Sequence, residues 1–104
     1  MGARSSHPNQ ARALSELALH FYALKDALRL EMLALLAERN ECTVNEMAAA
    51  LQKSQPLVSW HLRRLKTAGI VKMRRSGREV YCSIDRDTIT RHQQVFLGLI
   101  QQPR

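Results

Sequence analysis

The chain carries the pattern of a mainly helical domain with one β-hairpin. Apolar residues recur at helical spacing over residues 10–36 and again over 89–100. Cap signals at Thr43 and Ser54 begin two further helices on either side of a break at Lys53. After Gly69 the period drops to two, and Ser76 and Gly77 divide the alternating run into two strands.

Residues 1–9, rich in Ser, Asn, Pro and Gly, read as a disordered tail, and residues 10–102 as a single domain. The first helix, over 10–24, presents Leu14, Leu17, Ala18, Phe21 and Tyr22 as a stripe. Asp26 separates it from a second helix, whose stripe of Leu28, Met32, Leu33, Leu35 and Leu36 stops at Arg39 and Asn40. Thr43 with Glu46 three positions on forms a capping box for a short helix bearing Val44, Met47, Ala48 and Leu51. Ser54 caps the fourth helix. Pro56 falls in its first turn, Leu57, Val58, Leu62 and Leu65 make its inner face, and Ala68 with Gly69 ends it. In the hairpin, Val71, Met73, Val80, Cys82 and Ile84 alternate with polar or basic positions. Asp85 or Asp87 caps a last helix with Ile89, His92, Val95, Phe96, Leu99 and Ile100 along one side. The order is α-α-α-α-β-β-α, without internal repeats.

Composition narrows the function. In 104 residues, 45% are hydrophobic and 24% charged, the balance of a folded chain, and only 5% are aromatic. The longest apolar runs, 32–37 and 95–100, are too short to cross a bilayer, so no membrane-spanning segment is expected, and no membrane partner belongs to the favoured reading. Two cysteines make neither a disulfide framework nor a zinc finger. No Gly-rich phosphate loop, HExxH, GxSxG or paired carboxylate suggests catalysis, so no enzyme and no catalytic residue is expected.

The net charge of +7 is concentrated. Residues 53–78 carry eight basic side chains (Lys53, Arg63, Arg64, Lys66, Lys72, Arg74, Arg75 and Arg78) and no acidic one, whereas residues 1–52 hold five basic and six acidic and 79–104 three of each. A local positive field of this kind suits a polyanion. It also suits a solvated basic face or an anionic membrane surface.

Two helices joined by a tight turn, the second basic, followed by a basic hairpin, describe a winged helix-turn-helix. Subtracting the buried face of the fourth helix leaves Gln55, Pro56, Ser59, Trp60, Arg63 and Lys66 pointing outward. Gln55 and Ser59 lie near its N-terminus, the end that reaches base edges in the major groove of double-stranded DNA. Arg63, Arg64 and Lys66 suit phosphates, and Trp60 could stack on sugar–phosphate. The wing tip, with Arg74, Arg75 and Arg78, could enter or straddle a minor groove. Leu14, Leu17 and Phe21 of the first helix and Val95, Phe96 and Leu99 of the last are expected to form a homodimer interface, because one face of a small chain could not bury them all. The competing reading is a winged helix that docks an acidic protein partner.

Residues 24–33 (LKDALRLEML), 54–62 (SQPLVSWHL), 68–71 (AGIV) and 77–81 (GREVY) resemble the ArsR/SmtB family of prokaryotic winged-helix transcriptional repressors, and the likeness runs over about residues 14–100. The resemblance implies a cytoplasmic homodimer on a near-palindromic operator, with the first and last helices at the dimer interface and Ser54, Gln55, Ser59 and His61 at the DNA surface. His61 flanks Leu62, and its second reading is support of the helix rather than DNA contact. Ala27 and Leu28 depart from the family's usual Pro-Thr, and Cys82 from a common Tyr. Thr43 and Asn45 stand where metal-sensing relatives have cysteines. Ile89 stands where a histidine is expected after Asp87, and His92 has no second ligand spaced after it. Both family metal sites are therefore incomplete, and no metal or cofactor is expected. Some relatives sense sulfur species through two thiols, which makes Cys42 and Cys82 a candidate sensor pair. Alternation with Val80 and Ile84 reads Cys82 instead as a small core residue, and Cys42 sits at a helix start where a thiol pKa can fall. The effector and the operator sequence are not legible.

Overall fold

The computed structural model describes residues 8–101. Helix α1 (Pro8–Leu24) begins two residues earlier than the periodicity suggests, and the rest of the expected tail, residues 1–7, lies outside the described residues, as do 102–104. Helix α2 (Ala27–Arg39) is capped by Asp26, whose carboxylate accepts from the Arg29 backbone N–H at 3.2 Å. Asn40 ends it with a positive φ of 72°, and its N–H donates to the Leu36 carbonyl at 2.7 Å. Thr43 and Glu46 make the complete capping box of α3 (Val44–Leu51): Thr43 Oγ1 accepts from the Glu46 N–H at 3.1 Å, and Glu46 Oε1 accepts from the Thr43 N–H at 2.9 Å. Ser54 caps α4 (Gln55–Thr67) by accepting from the Leu57 N–H at 3.4 Å.

The sheet holds one strand more than the sequence announces. Strand β1 (Cys42–Thr43) pairs antiparallel with β3 (Glu79–Ile84), which pairs in turn with β2 (Val71–Ser76), in the order β1-β3-β2. Two residues carry no visible period, so β1 was indistinguishable from the lead-in to α3. The β2–β3 turn is Gly77 and Arg78, since Ser76 pairs with Glu79. Gly77 has φ of +62°, which a tight hairpin turn requires at that position. Helix α5 (Arg86–Ile100) starts from Asp85, whose carboxylate accepts from the Thr88 N–H. Gly69 joins α4 to the wing with φ of +78°, and a Cβ there would stand 3.0 Å from Thr88 Cγ2.

The core lies between α2, α3, α4 and the inner face of the sheet. Met32, Leu36, Met47, Val58, Leu62, Leu65 and Ile70 are fully buried. Truncating any one of the Met, Leu or Ile side chains among them to alanine costs about 2–5 kcal/mol. Leu57, expected on the inner face of α4, is instead 40% exposed. It precedes Val58 and sits at the edge of the helix face that faces the core. No helix among the described residues is long and apolar enough to cross a membrane.

Candidate nucleic-acid interface

Helix α4 and the wing line two clefts that share Val80. A cleft of about 160 Å³ is lined by Gln55 at the start of α4, Thr43, Val44 and Asn45 at the start of α3, and Arg78, Glu79 and Val80 at the wing tip. A second, of about 340 Å³, is lined by Lys66 from the end of α4 and by Met73, Arg74, Arg75 and Val80. The N-terminal turn of α4 and the tip of the hairpin thus face the same solvent space. Gln55, Arg63, Arg64 and Lys66 are exposed on α4, as are Arg75 and Arg78 on the wing. Ser59 is half-buried rather than fully outward. Ser54 is exposed, with its hydroxyl engaged in the cap.

Three side chains expected at this surface have partners within the protein, and of them Trp60 and Arg74 remain exposed. His61 is a correction: it is 6% exposed, and its Nδ1 accepts from Arg29 Nε at 2.9 Å. His61 follows the outward Trp60 and points across the helix toward α2, so the DNA surface is not its place. Burial lowers its pKa below the ordinary value, with Asp26 opposing and Arg29 adding to the effect. Trp60, 41% exposed, lies between the guanidiniums of Arg64 at 4.6 Å and Arg29 at 5.5 Å. Arg74 makes a bidentate ion pair with Glu41, at 2.7 and 2.9 Å, and packs over the Tyr81 ring at 4.6 Å. Hydrogen bonding to Arg74 holds the Glu41 carboxyl below its usual range, and the same bond raises Arg74.

Helices α1 and α5 pack together with an apolar outer surface. Leu14, Phe21, Phe96 and Leu99 are exposed, Val95 is half-buried, and the Phe21 and Phe96 rings meet edge-on at 5.2 Å. Leu17 is a second correction: it is already 5% exposed within the chain and turns inward, so it is not free for a partner. Cys42 and Cys82 are cross-strand partners between β1 and β3, and both are free and buried. Burial raises the Cys42 thiol and pushes Cys82 up to about 11, opposite to the lowered pKa that a reactive thiol needs. Among the described residues no group of three or more His, Cys, Asp or Glu is placed to hold a metal ion.

Residues 26–73 match the sequence profile described as bacterial regulatory protein, arsR family. A transcriptional repressor SmtB homolog of Synechocystis sp. is 42% identical over 76 residues, covering 73% of this chain and 54% of that protein. The arsenic resistance regulator ArsR1 of Pseudomonas putida is 44% identical over 61 residues, covering 59% and 48%. A crystal structure of a possible transcriptional regulatory protein (fragment 1–100) from Mycobacterium bovis is 30% identical, with TM-score 0.72 over 88% of this chain and 99% of that one. The chain belongs to the ArsR family.

A solution structure of the same Mycobacterium bovis fragment, described as a homodimeric winged helix-turn-helix DNA-binding domain, matches this ArsR-family chain with TM-score 0.74 at 28% identity, covering 100% of this chain and 94% of that one. An ArsR-like regulator from Rhodococcus sp. RHA1 matches with TM-score 0.78 at 26% identity, covering 85% and 82%. The winged helix-turn-helix architecture is therefore shared. The ArsR-family chain spans about half the length of the curated relatives it matches, with 54%, 48% and 64% of three of them covered.

Three residues of this ArsR-family chain escaped the sequence reading. Glu41 precedes β1 with no local partner, so nothing near it in sequence points to Arg74. Arg29 and His20 did leave a signal. Arg29 occupies the stripe of Met32 and Leu36, and His20 that of Leu17 and Ala23, so each is a polar residue at a core position.

Proposed function

We propose that this chain is a sequence-specific, DNA-binding transcriptional regulator, a repressor that acts as a homodimer on a near-palindromic duplex site in the cytoplasm. One observation carries the reading. The exposed start of α4, with Gln55, and Arg78 at the wing tip line one cleft, and residues 53–78, which run through α4 into the wing, carry eight basic and no acidic side chains. A helix of about 10–12 Å diameter fills a major groove, and a two-stranded ribbon beside it reaches the flanking backbone. In this arrangement Gln55 and Ser59 contact bases, and Arg63, Arg64, Lys66, Arg75 and Arg78 neutralise phosphates. The chain has no catalytic role in this reading.

The dimer follows from the apolar surface of α1 and α5. Leu14, Phe21, Phe96 and Leu99 would be covered by the same residues of a second copy, as in an isologous two-fold contact. Two recognition helices would then enter successive major grooves about one helical turn apart. Any effector must bind the DNA-competent and incompetent dimers with different affinity.

Binding of variants to one preferred duplex and to random duplex tests the assignment. Gln55→Ala is expected to reduce the preference between them, and Arg75→Ala to weaken both equally. Equal losses on both duplexes for Gln55→Ala would remove it from base reading.

A further inference from the structure

Three cations and two aromatic rings alternate across the back of α4. Lys25 Nζ stands 4.8 Å from the Tyr22 ring centre, the Arg29 guanidinium 6.0 Å from Tyr22 and 5.5 Å from Trp60, and the Arg64 guanidinium 4.6 Å from Trp60. Arg29 is the middle cation and the one buried member, 4% exposed. Its Nε donates to His61 Nδ1 at 2.9 Å, and its Nη1 to the Ala23 carbonyl at 3.4 Å. The guanidinium therefore ties the end of α1 and the first turn of α2 to the middle of α4.

Burying a charge is costly, and an apolar side chain of similar length would fill this space without that cost. What arginine adds is a rigid, planar donor that fixes both an acceptor and a stacked ring. Ser59, Trp60 and His61 are consecutive, so any roll of α4 that moves the two rings turns Ser59 and Gln55 by the same angle. We infer that Arg29 is a positioning residue for base reading: by holding His61 and stacking on Trp60 it sets the roll of α4, and with it the direction of Gln55 and Ser59. The inference rests on the DNA-binding reading above.

The tie is conditional on the state of His61. Its Nδ1 accepts from Arg29 only when the ring is neutral with the proton on Nε2. The charged and titratable groups around this junction are Arg29 and Asp26 of α2, Tyr22 and Lys25 of the α1 end, and Arg64 of α4. A proton on His61 removes the acceptor and places two cations against each other. Acid therefore releases α4 from Arg29, below the ordinary histidine value because burial already favours the neutral ring.

Trp60 is the chain's one tryptophan, and its ring lies 5.0 Å from that of His61, so its emission, quenched by a charged imidazole, reports the titration. The experiment measures that emission, and the ratio of affinities for a preferred and a random duplex, between about pH 8 and about pH 5.5. In the wild type the ratio should fall about tenfold on acidification, the value of one misplaced base contact, together with the Trp60 transition. Arg29→Met should show the low ratio at every pH, keep its affinity for random duplex within about twofold, and move the Trp60 transition to higher pH, because a neighbouring cation no longer opposes the charged ring. Arg29→Lys should recover part of the ratio, and His61→Gln, which keeps a neutral acceptor, should hold it constant with pH. A folded Arg29→Met with an unchanged ratio, or one that loses both affinities in equal proportion, overturns the positioning role. If the wild type prefers no duplex, the DNA-binding reading fails. The Trp60 titration needs no DNA, and an unshifted transition in Arg29→Met then overturns the tie itself.

Discussion

His20 and His92 face each other through their Nδ1 atoms, 2.8 Å apart, and close the seam between α1 and α5. Both are buried, at 1% and 7% exposure, and their rings meet edge-on at 4.6 Å. One ring must donate and the other accept. Burial, then the neighbouring His92, lowers the pKa of His20 from its ordinary 6.5. A base whose folded pKa is depressed contributes stability that is complete above about 6.5 and lost as pH falls through the folded value. Melting temperature is expected to be flat from about pH 8 to about 7 and to fall on further acidification, less steeply in His20→Gln than in the wild type. Equal pH dependence in both proteins would remove His20 from this effect.

The cross-strand cysteines lead to a prediction about reactivity. With Cys82 near 11 and both thiols buried, alkylation of the native protein at mildly alkaline pH should run at least about a hundredfold slower than in denaturant. Timed labelling followed by mass measurement checks this. Rapid labelling of either thiol in the folded chain would restore the sensor reading that burial argues against.

The capping box of α3 is worth a measurable amount. Thr43→Ala removes the acceptor for the Glu46 N–H and is expected to cost about 1 kcal/mol in denaturant unfolding. Glu46→Ala removes the reciprocal bond to the Thr43 N–H. A double variant no less stable than the worse single variant would show the two bonds acting as one unit.

Among the wing arginines, Arg74 is expected to behave differently from Arg75 and Arg78. Its guanidinium is already engaged by both Glu41 oxygens, so it releases fewer counterions on meeting a phosphate. Arg75→Ala should reduce the slope of log affinity against log salt by about 0.9, Arg74→Ala by clearly less, and Glu41→Gln should steepen it. Equal slopes in Arg74→Ala and Arg75→Ala would mean that Glu41 yields Arg74 to the DNA.

What was legible in the sequence is what short-range chemistry decides. Thr43 with Glu46, Asp26, Ser54, Asp85 and Gly77 mark helix starts and a turn through partners three or fewer residues away, and the structure realises each of them. The basic surface was legible for the same reason, since α4 and the wing are adjacent in sequence. The contacts that adjust the site were not. Arg29 and His61 are 32 residues apart, and Glu41 and Arg74 are 33 apart. His20 and His92 are separated by 72. Pairing of this kind depends on how α1, α2 and the sheet dock, which no local period reveals. For that reason helical spacing alone does not separate His61 from the DNA face or Leu17 from the dimer face, although both turn inward.

The most direct measurement is a binding selection from random duplex DNA at moderate salt, with the mass of the bound species measured on the enriched duplex. A near-palindromic site with half-sites about one helical turn apart, occupied by two copies of the chain, is the predicted result. Enrichment of no sequence, or occupation by a single copy without symmetry, would contradict the account.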